Sequence, residues 1–182
     1  MQTIFIMVRG LKYLLSTLIV ALSFLSCINE ENPQENELKI GDRLPSFEVS
    51  MNDGSTVSSE WLSQSISCVV FFHTSCPDCQ KTLPAVQRVY DEFSEKGVRF
   101  ALISREEDEK SISDFWKEKG FTMPYSAQST REIYNKFAQT RVPRVYISDN
   151  SGKIKVIHTD DPIPTYDVLK TNLDYVFDIC KE

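Results

Sequence analysis

The chain has 182 residues, 41% hydrophobic and 25% charged, with 6 Gly and 8 Pro, the make-up of one globular domain with short appendages. Twenty Lys and Arg against 26 Asp and Glu give a net charge of −6, with no basic run, so a phosphate-matching nucleic-acid surface is excluded. Five cysteines, at 27, 68, 76, 79 and 180, are too few for a disulfide-stapled scaffold, and each needs its own explanation.

Residues 1–12 carry Arg9 and Lys12, and the first acid of the chain is Glu30. Leu14 to Ser26 then supplies 13 apolar or small residues, short of the ~20 that a spanning helix needs, so residues 1–26 read as a signal peptide. It ends on Phe24-Leu25-Ser26-Cys27, which resembles a lipobox and implies lipidation of Cys27 and a membrane anchor. Cleavage there removes Arg9 and Lys12 and no acid, taking the charge from −6 to −8. Residues 28–37 hold four Glu, three Asn, a Gln and a Pro, a composition unable to bury a core, so 27–37 read as an acidic tether. The folded domain is expected over 38–182, in the cell envelope, on the periplasmic face of the outer membrane or the cell surface.

Within it, 46–58 predicts a strand pair around the turn signal Asn52-Asp53-Gly54. Ser67 to Phe72 is apolar without alternation, as in a strand covered on both faces. Val86, Val89, Tyr90 and Phe93 define an amphipathic helix ending before Gly97, and Val98 to Ile103 a second buried strand. Ile112, Phe115 and Trp116 mark a helix closing at Gly120, and Ile133 with Phe137 a shorter one. Val145 to Ile147 and Ile154 to Ile157 flank the turn Asp149-Asn150-Ser151-Gly152 as a hairpin. Tyr166, Leu169, Leu173, Val176, Phe177 and Cys180 share one face of a final helix. Alternating strands and helices before a hairpin give an α/β layout with a partly parallel sheet.

Cys76-Pro77-Asp78-Cys79 stands just beyond the first buried strand and opens the amphipathic helix. Two thiols three residues apart on a first helical turn can close a small disulfide ring, and only the first faces outward. Free first-turn N–H groups and the helix dipole favour a thiolate there, Pro77 suits a position whose N–H has no partner, and Asp78 opposes the negative charge. Cys68, inside the buried strand, and Cys180, beside Leu173 and Phe177, read as packing residues, with a disulfide between them left open. Two other readings of the site remain: a copper- or zinc-binding module using Cys76, Cys79 and His73, and a thiol peroxidase. For the latter, Thr74 stands one residue short of a Thr-x-x-Cys spacing.

A strand–CxxC–helix unit with a β–β–α ending resembles the thioredoxin-like fold, and within it the TlpA/ResA-type envelope thiol–disulfide oxidoreductases. The resemblance covers about residues 38–180. It implies a three-layer α/β/α sandwich with a mixed central sheet, an N-terminal β-hairpin and a helical insertion before the cis-proline loop. It also implies Cys76 as nucleophile, Cys79 as resolving thiol, Pro84 as a helix-kinking proline, and a cis bond at Val142-Pro143 in a loop that binds a substrate strand. Its partners would be protein thiols and disulfides and a redox protein that supplies or removes electrons. The chain is expected to act as a monomer with no cofactor beyond the Cys76–Cys79 disulfide. Ser75, Val70 and Thr82 stand where that family's Trp and two acids stand. His73, Arg141 and Arg144 complete the site's expected neighbours, His73 as a proton relay and the two arginines as positive potential against Asp78.

Overall fold

The computed structural model describes residues 37–181; the signal segment, Cys27 and all of the tether but Glu37 lie outside the described residues. The strand pair forms as β1 (Glu48–Ser50) and β2 (Thr56–Ser58), antiparallel about the Asn52–Gly54 turn. A four-residue helix that the periodicity did not indicate, α1 (Ser59–Leu62), follows at once, its N-terminus capped by the Ser58 hydroxyl accepting Trp61 N–H at 3.1 Å.

The main sheet contains β3 (Ser67–Phe72), β4 (Arg99–Ser104), β5 (Arg144–Ser148) and β6 (Ile154–His158) in the order β4-β3-β5-β6. β3 runs parallel to β4 and antiparallel to β5, and β5 and β6 form the expected hairpin. Every residue of β3 is buried, as its unbroken apolar run requires. Its alternation sends Phe72 to one face, where it meets Trp116 with ring centroids 5.0 Å apart, and Phe71 to the other, among Phe137 at 4.8 Å and Tyr134 at 5.3 Å.

Helix α2 (Pro77–Phe93) presents Leu83, Val86, Val89 and Phe93 to the core, with Pro84 inside it as the resemblance implied. Helix α4 (Tyr166–Ile179) packs beside it, burying Leu169, Leu173 and Val176, while the Tyr166 hydroxyl donates to Glu92 at 2.6 Å. The inserted helix α3 (Glu109–Lys119) starts at Asp108, whose carboxylate accepts Ser111 N–H at 2.9 Å, and ends at Gly120 in a left-handed conformation. The shorter helix expected at Ile133 and Phe137 is a single 3-10 turn, Tyr134–Lys136. One turn suffices to seat both apolar side chains in the core, and the chain must then turn toward Pro143.

Cys68 lies wholly inside, its thiol pushed up to about 12 by burial, and Cys180 is half-buried against the same core. Both are free thiols here, and each packs in or against the core. Among the described residues no helix is long and apolar enough to cross a membrane.

Candidate active site

Parallel pairing sets the site, because β3 and β4 run side by side with Phe72 opposite Ser104 and both chains emerge at one sheet edge. The chain leaves β3 through His73, Thr74 and Ser75, and Cys76 N–H donates to His73 O at 3.0 Å before α2 begins. Cys76 is the N-cap residue of that helix, with exposed Pro77 at its first position. Its thiol is half-buried and donates to Val142 O at 3.3 Å. That contact joins two segments 66 residues apart, and the Val142–Pro143 bond is cis, as expected. A second cis bond, Asp161–Pro162, had no counterpart in the reading of the sequence.

Cys79 points inward and is wholly buried. Burial pushes its thiol well up, reinforced by the neighbouring Cys76 sulfur and opposed by the His73 backbone N–H and the Arg105 cation. The pair is therefore asymmetric, with one sulfur reachable and the other shielded and protonated, and both are free thiols here. Thr82, at the position where the resemblance implies an acid, is buried and spends its hydroxyl on Asp78 O at 2.9 Å.

The charged neighbours differ from expectation. Asp78 is matched by Lys81 on the same helix at 3.0 Å. Arg144 does not raise the surface potential against it: the residue is 7% exposed, lies below the proline loop, and pairs with Glu37 at 2.8 Å while donating to Thr140 O at 3.1 Å. Arg141, at a left-handed φ of 64°, reaches Asp160 at 3.5 Å. Each arginine is thus answered by its own acid.

The residue missed in the sequence is Glu107, in the segment after β4. Its side chain is 5% exposed, and its carboxylate accepts Thr74 N–H at 2.9 Å and the Thr74 hydroxyl. His73 Nδ1 stands 3.7 Å from it and accepts Ser75 N–H at 3.2 Å. A signal was available: Arg105-Glu106-Glu107-Asp108-Glu109 directly follows a buried strand parallel to the one that precedes the cysteines. With its hydroxyl committed to Glu107, Thr74 gives no support to the peroxidase reading. Among the described residues no group of three or more His, Cys, Asp or Glu is arranged to hold a metal, so Cys76, Cys79 and His73 do not form a ligand set.

The chain is similar to the thiol-disulfide oxidoreductase ResA of Oceanobacillus iheyensis, 26% identical over 144 residues, which are 77% of this chain and 75% of that protein. Its fold is that of the thioredoxin domain of a thiol-disulfide oxidoreductase from Bacteroides vulgatus, with a TM-score of 0.66 and 19% identity over 77% of this chain and 99% of the other. A thiol:disulfide interchange protein from Chlorobium tepidum aligns with a TM-score of 0.65 and 22% identity, covering 76% of this chain and 98% of that one. These likenesses bear out the thioredoxin-like fold and the ResA-type resemblance, and the AhpC/TSA family model matches residues 40–157, so this chain belongs to the AhpC/TSA family.

Proposed function

We propose that this protein is a thiol–disulfide oxidoreductase that exchanges disulfides with partner proteins through Cys76 and Cys79. The observation that carries the reading is the Cys76 thiol, half-exposed at a helix N-terminus, touching the carbonyl before the cis proline, with Cys79 shielded behind it.

In the reducing direction the Cys76 thiolate attacks a partner disulfide, whose S–S bond breaks and releases one partner sulfur as thiolate. Cys79 then loses its proton and attacks the Cys76 sulfur of the mixed disulfide. The Cys76–Cys79 bond forms, the second partner sulfur leaves, and two electrons have passed to the partner. The oxidising direction runs the same steps in reverse. Burial of Cys79 delays the second step until a partner is attached, because its thiol must give up a proton in an apolar surround. Forming the mixed disulfide removes the Cys76 S–H and frees Val142 O to accept a backbone N–H from the partner strand, the role assigned to Val142 and Pro143. The charged and apolar order of residues 1–26 supports delivery to the cell envelope, with Cys27 as lipid anchor, where a separate redox protein would reset the pair.

Cys79→Ala leaves the nucleophile without a resolving thiol and should trap a partner through Cys76, seen as a reductant-sensitive adduct by mass. A folded Cys79→Ala protein with no adduct, together with wild-type protein inactive in insulin reduction, would refute this function. Equilibration of the pair with glutathione fixes the direction of electron flow.

A further inference from the structure

The turn that carries Cys76 has few bonds of its own. Besides the Cys76 N–H bond to His73 O, Gln80 Nε2 donates to Thr74 O at 2.8 Å. Beyond the Cys76 thiol bond to Val142 O, a further anchor from outside the turn is the buried carboxylate of Glu107, which takes both donors of Thr74. Glu107 is itself fixed: its N–H donates to Gln128 O at 2.7 Å, and Gln128 N–H donates to Ser104 Oγ at 2.8 Å. Gln128 Nε2 donates to Ser126 Oγ at 2.8 Å, and the Ser126 hydroxyl donates to Ser50 O at 2.7 Å. A continuous hydrogen-bond chain therefore runs from β1 through the inserted segment to the active-site turn.

His73 braces the same turn. Its Nδ1 accepts Ser75 N–H at 3.2 Å and lies 3.0 Å from the Ser75 hydroxyl, and a ring nitrogen that accepts an N–H carries no proton. Glu107 Oε2 lies 3.7 Å from Nδ1, outside hydrogen-bond distance. Ser75 directly precedes the nucleophile, so His73 steadies the peptide that leads into Cys76.

We propose that Glu107 is a positioning residue of the redox site, which clamps the Cys76 turn by accepting both donors of Thr74. The proposal rests on the oxidoreductase reading. Beside that clamp, His73 Nδ1 ties down the peptide before Cys76 by accepting Ser75 N–H. The other charges around the turn already have partners: Asp78 with Lys81 on α2, Arg105 and Arg131 with Glu106, and Arg141 with Asp160 beside the proline loop. Among the described residues Glu107 has no Lys or Arg within ion-pair distance, which leaves its carboxylate to the two Thr74 donors.

The test compares full-length wild type with Glu107→Gln, Glu107→Ala and Thr74→Val. Exchange rates with glutathione disulfide are measured at neutral pH, alongside hydrogen exchange of the Thr74 amide. Glu107→Gln keeps an acceptor for Thr74 and should retain most of the wild-type rate. Glu107→Ala, which loses the clamp, should slow exchange about tenfold or more and leave the Thr74 amide unprotected. Thr74→Val, which loses the hydroxyl but keeps the N–H, should slow exchange less than Glu107→Ala. The proposal is overturned if folded Glu107→Ala exchanges as fast as wild type, or if its Thr74 amide stays as protected as in wild type. Wild-type protein inactive with glutathione disulfide would dispose of the oxidoreductase reading instead, and Thr74 amide protection would still decide the clamp.

Discussion

Removing the Arg144 guanidinium tests what holds the proline loop in place. The side chain is 8% exposed and ties Glu37 at 2.8 Å to Thr140 O at 3.1 Å, four residues before its own position. Deleting one partner of a buried ion pair costs about 3–5 kcal/mol when the other charge stays dry. Glu37 is 21% exposed and can take up water, so the electrostatic part falls to about 2 kcal/mol. The Thr140 carbonyl keeps the Tyr134 hydroxyl at 2.6 Å, which limits the loss there. Truncating the aliphatic stem adds about 1 kcal/mol of lost packing. Arg144→Ala should therefore destabilise by about 3 kcal/mol, lowering Tm by about 6–12 °C for a domain of this size. Arg144→Met keeps the stem but still leaves Glu37 unpaired, and should cost about 2 kcal/mol. Urea unfolding followed by circular dichroism measures both. Arg144→Ala within 2 °C of wild type, or Arg144→Met as damaging as Arg144→Ala, would refute the reasoning.

Burial alone would raise the Asp149 carboxyl, but hydrogen bonds from Ser151, the Lys155 ammonium and Lys153 N–H outweigh it and hold it down to about 2. A carboxyl lower in the folded than in the unfolded chain (~3.9) adds stability above that value and loses it as pH falls toward 2, on the order of 2 kcal/mol. Asp149→Asn should cost that much at pH 7 and flatten the acid limb of stability against pH; an unchanged acid limb in calorimetry would contradict the assignment. Gly152 has φ +75°, and a Cβ there would stand 2.1 Å from Ser63 Oγ. Gly152→Ala should cost about 2 kcal/mol or more in urea unfolding, with partial rescue by Ser63→Ala, and additive effects of the two would exclude the clash. Iodoacetamide on the native reduced protein should label half-exposed Cys76 and Cys180, and reach Cys68 and Cys79 only after unfolding. Peptide mass mapping reads the order, and labelling of Cys68 in native protein would show that the β3 layer opens.

Much of the fold could be read from local pattern. The unbroken apolar run at 67–72 forms a fully buried strand with those bounds, and the turn at 149–152 joins β5 to β6. Gly120 ends α3 where its residue type requires. The cysteine pair was legible for the same reason, since a strand end, a CxxC and a helix start are consecutive in the chain. The 3-10 turn at 134–136 was overestimated because two apolar residues four apart fit either one turn or several. Arg144 was misplaced because a charged side chain reads as surface until a distant acid is shown beside it, and Glu37 lies 107 residues away.

The sequence by itself determined the order of elements, the class of sheet and the pair of sulfurs, all set by spacings of a few residues that backbone geometry translates directly. Only the tertiary structure decided which groups surround those sulfurs. Parallel pairing of β3 with β4 carries Glu107 to Thr74 and His73 across 33 residues, and the return of β5 beside β3 brings Val142 to Cys76 across 66. Contacts made across such separations depend on sheet register and the direction in which each chain leaves the sheet, which no local pattern encodes.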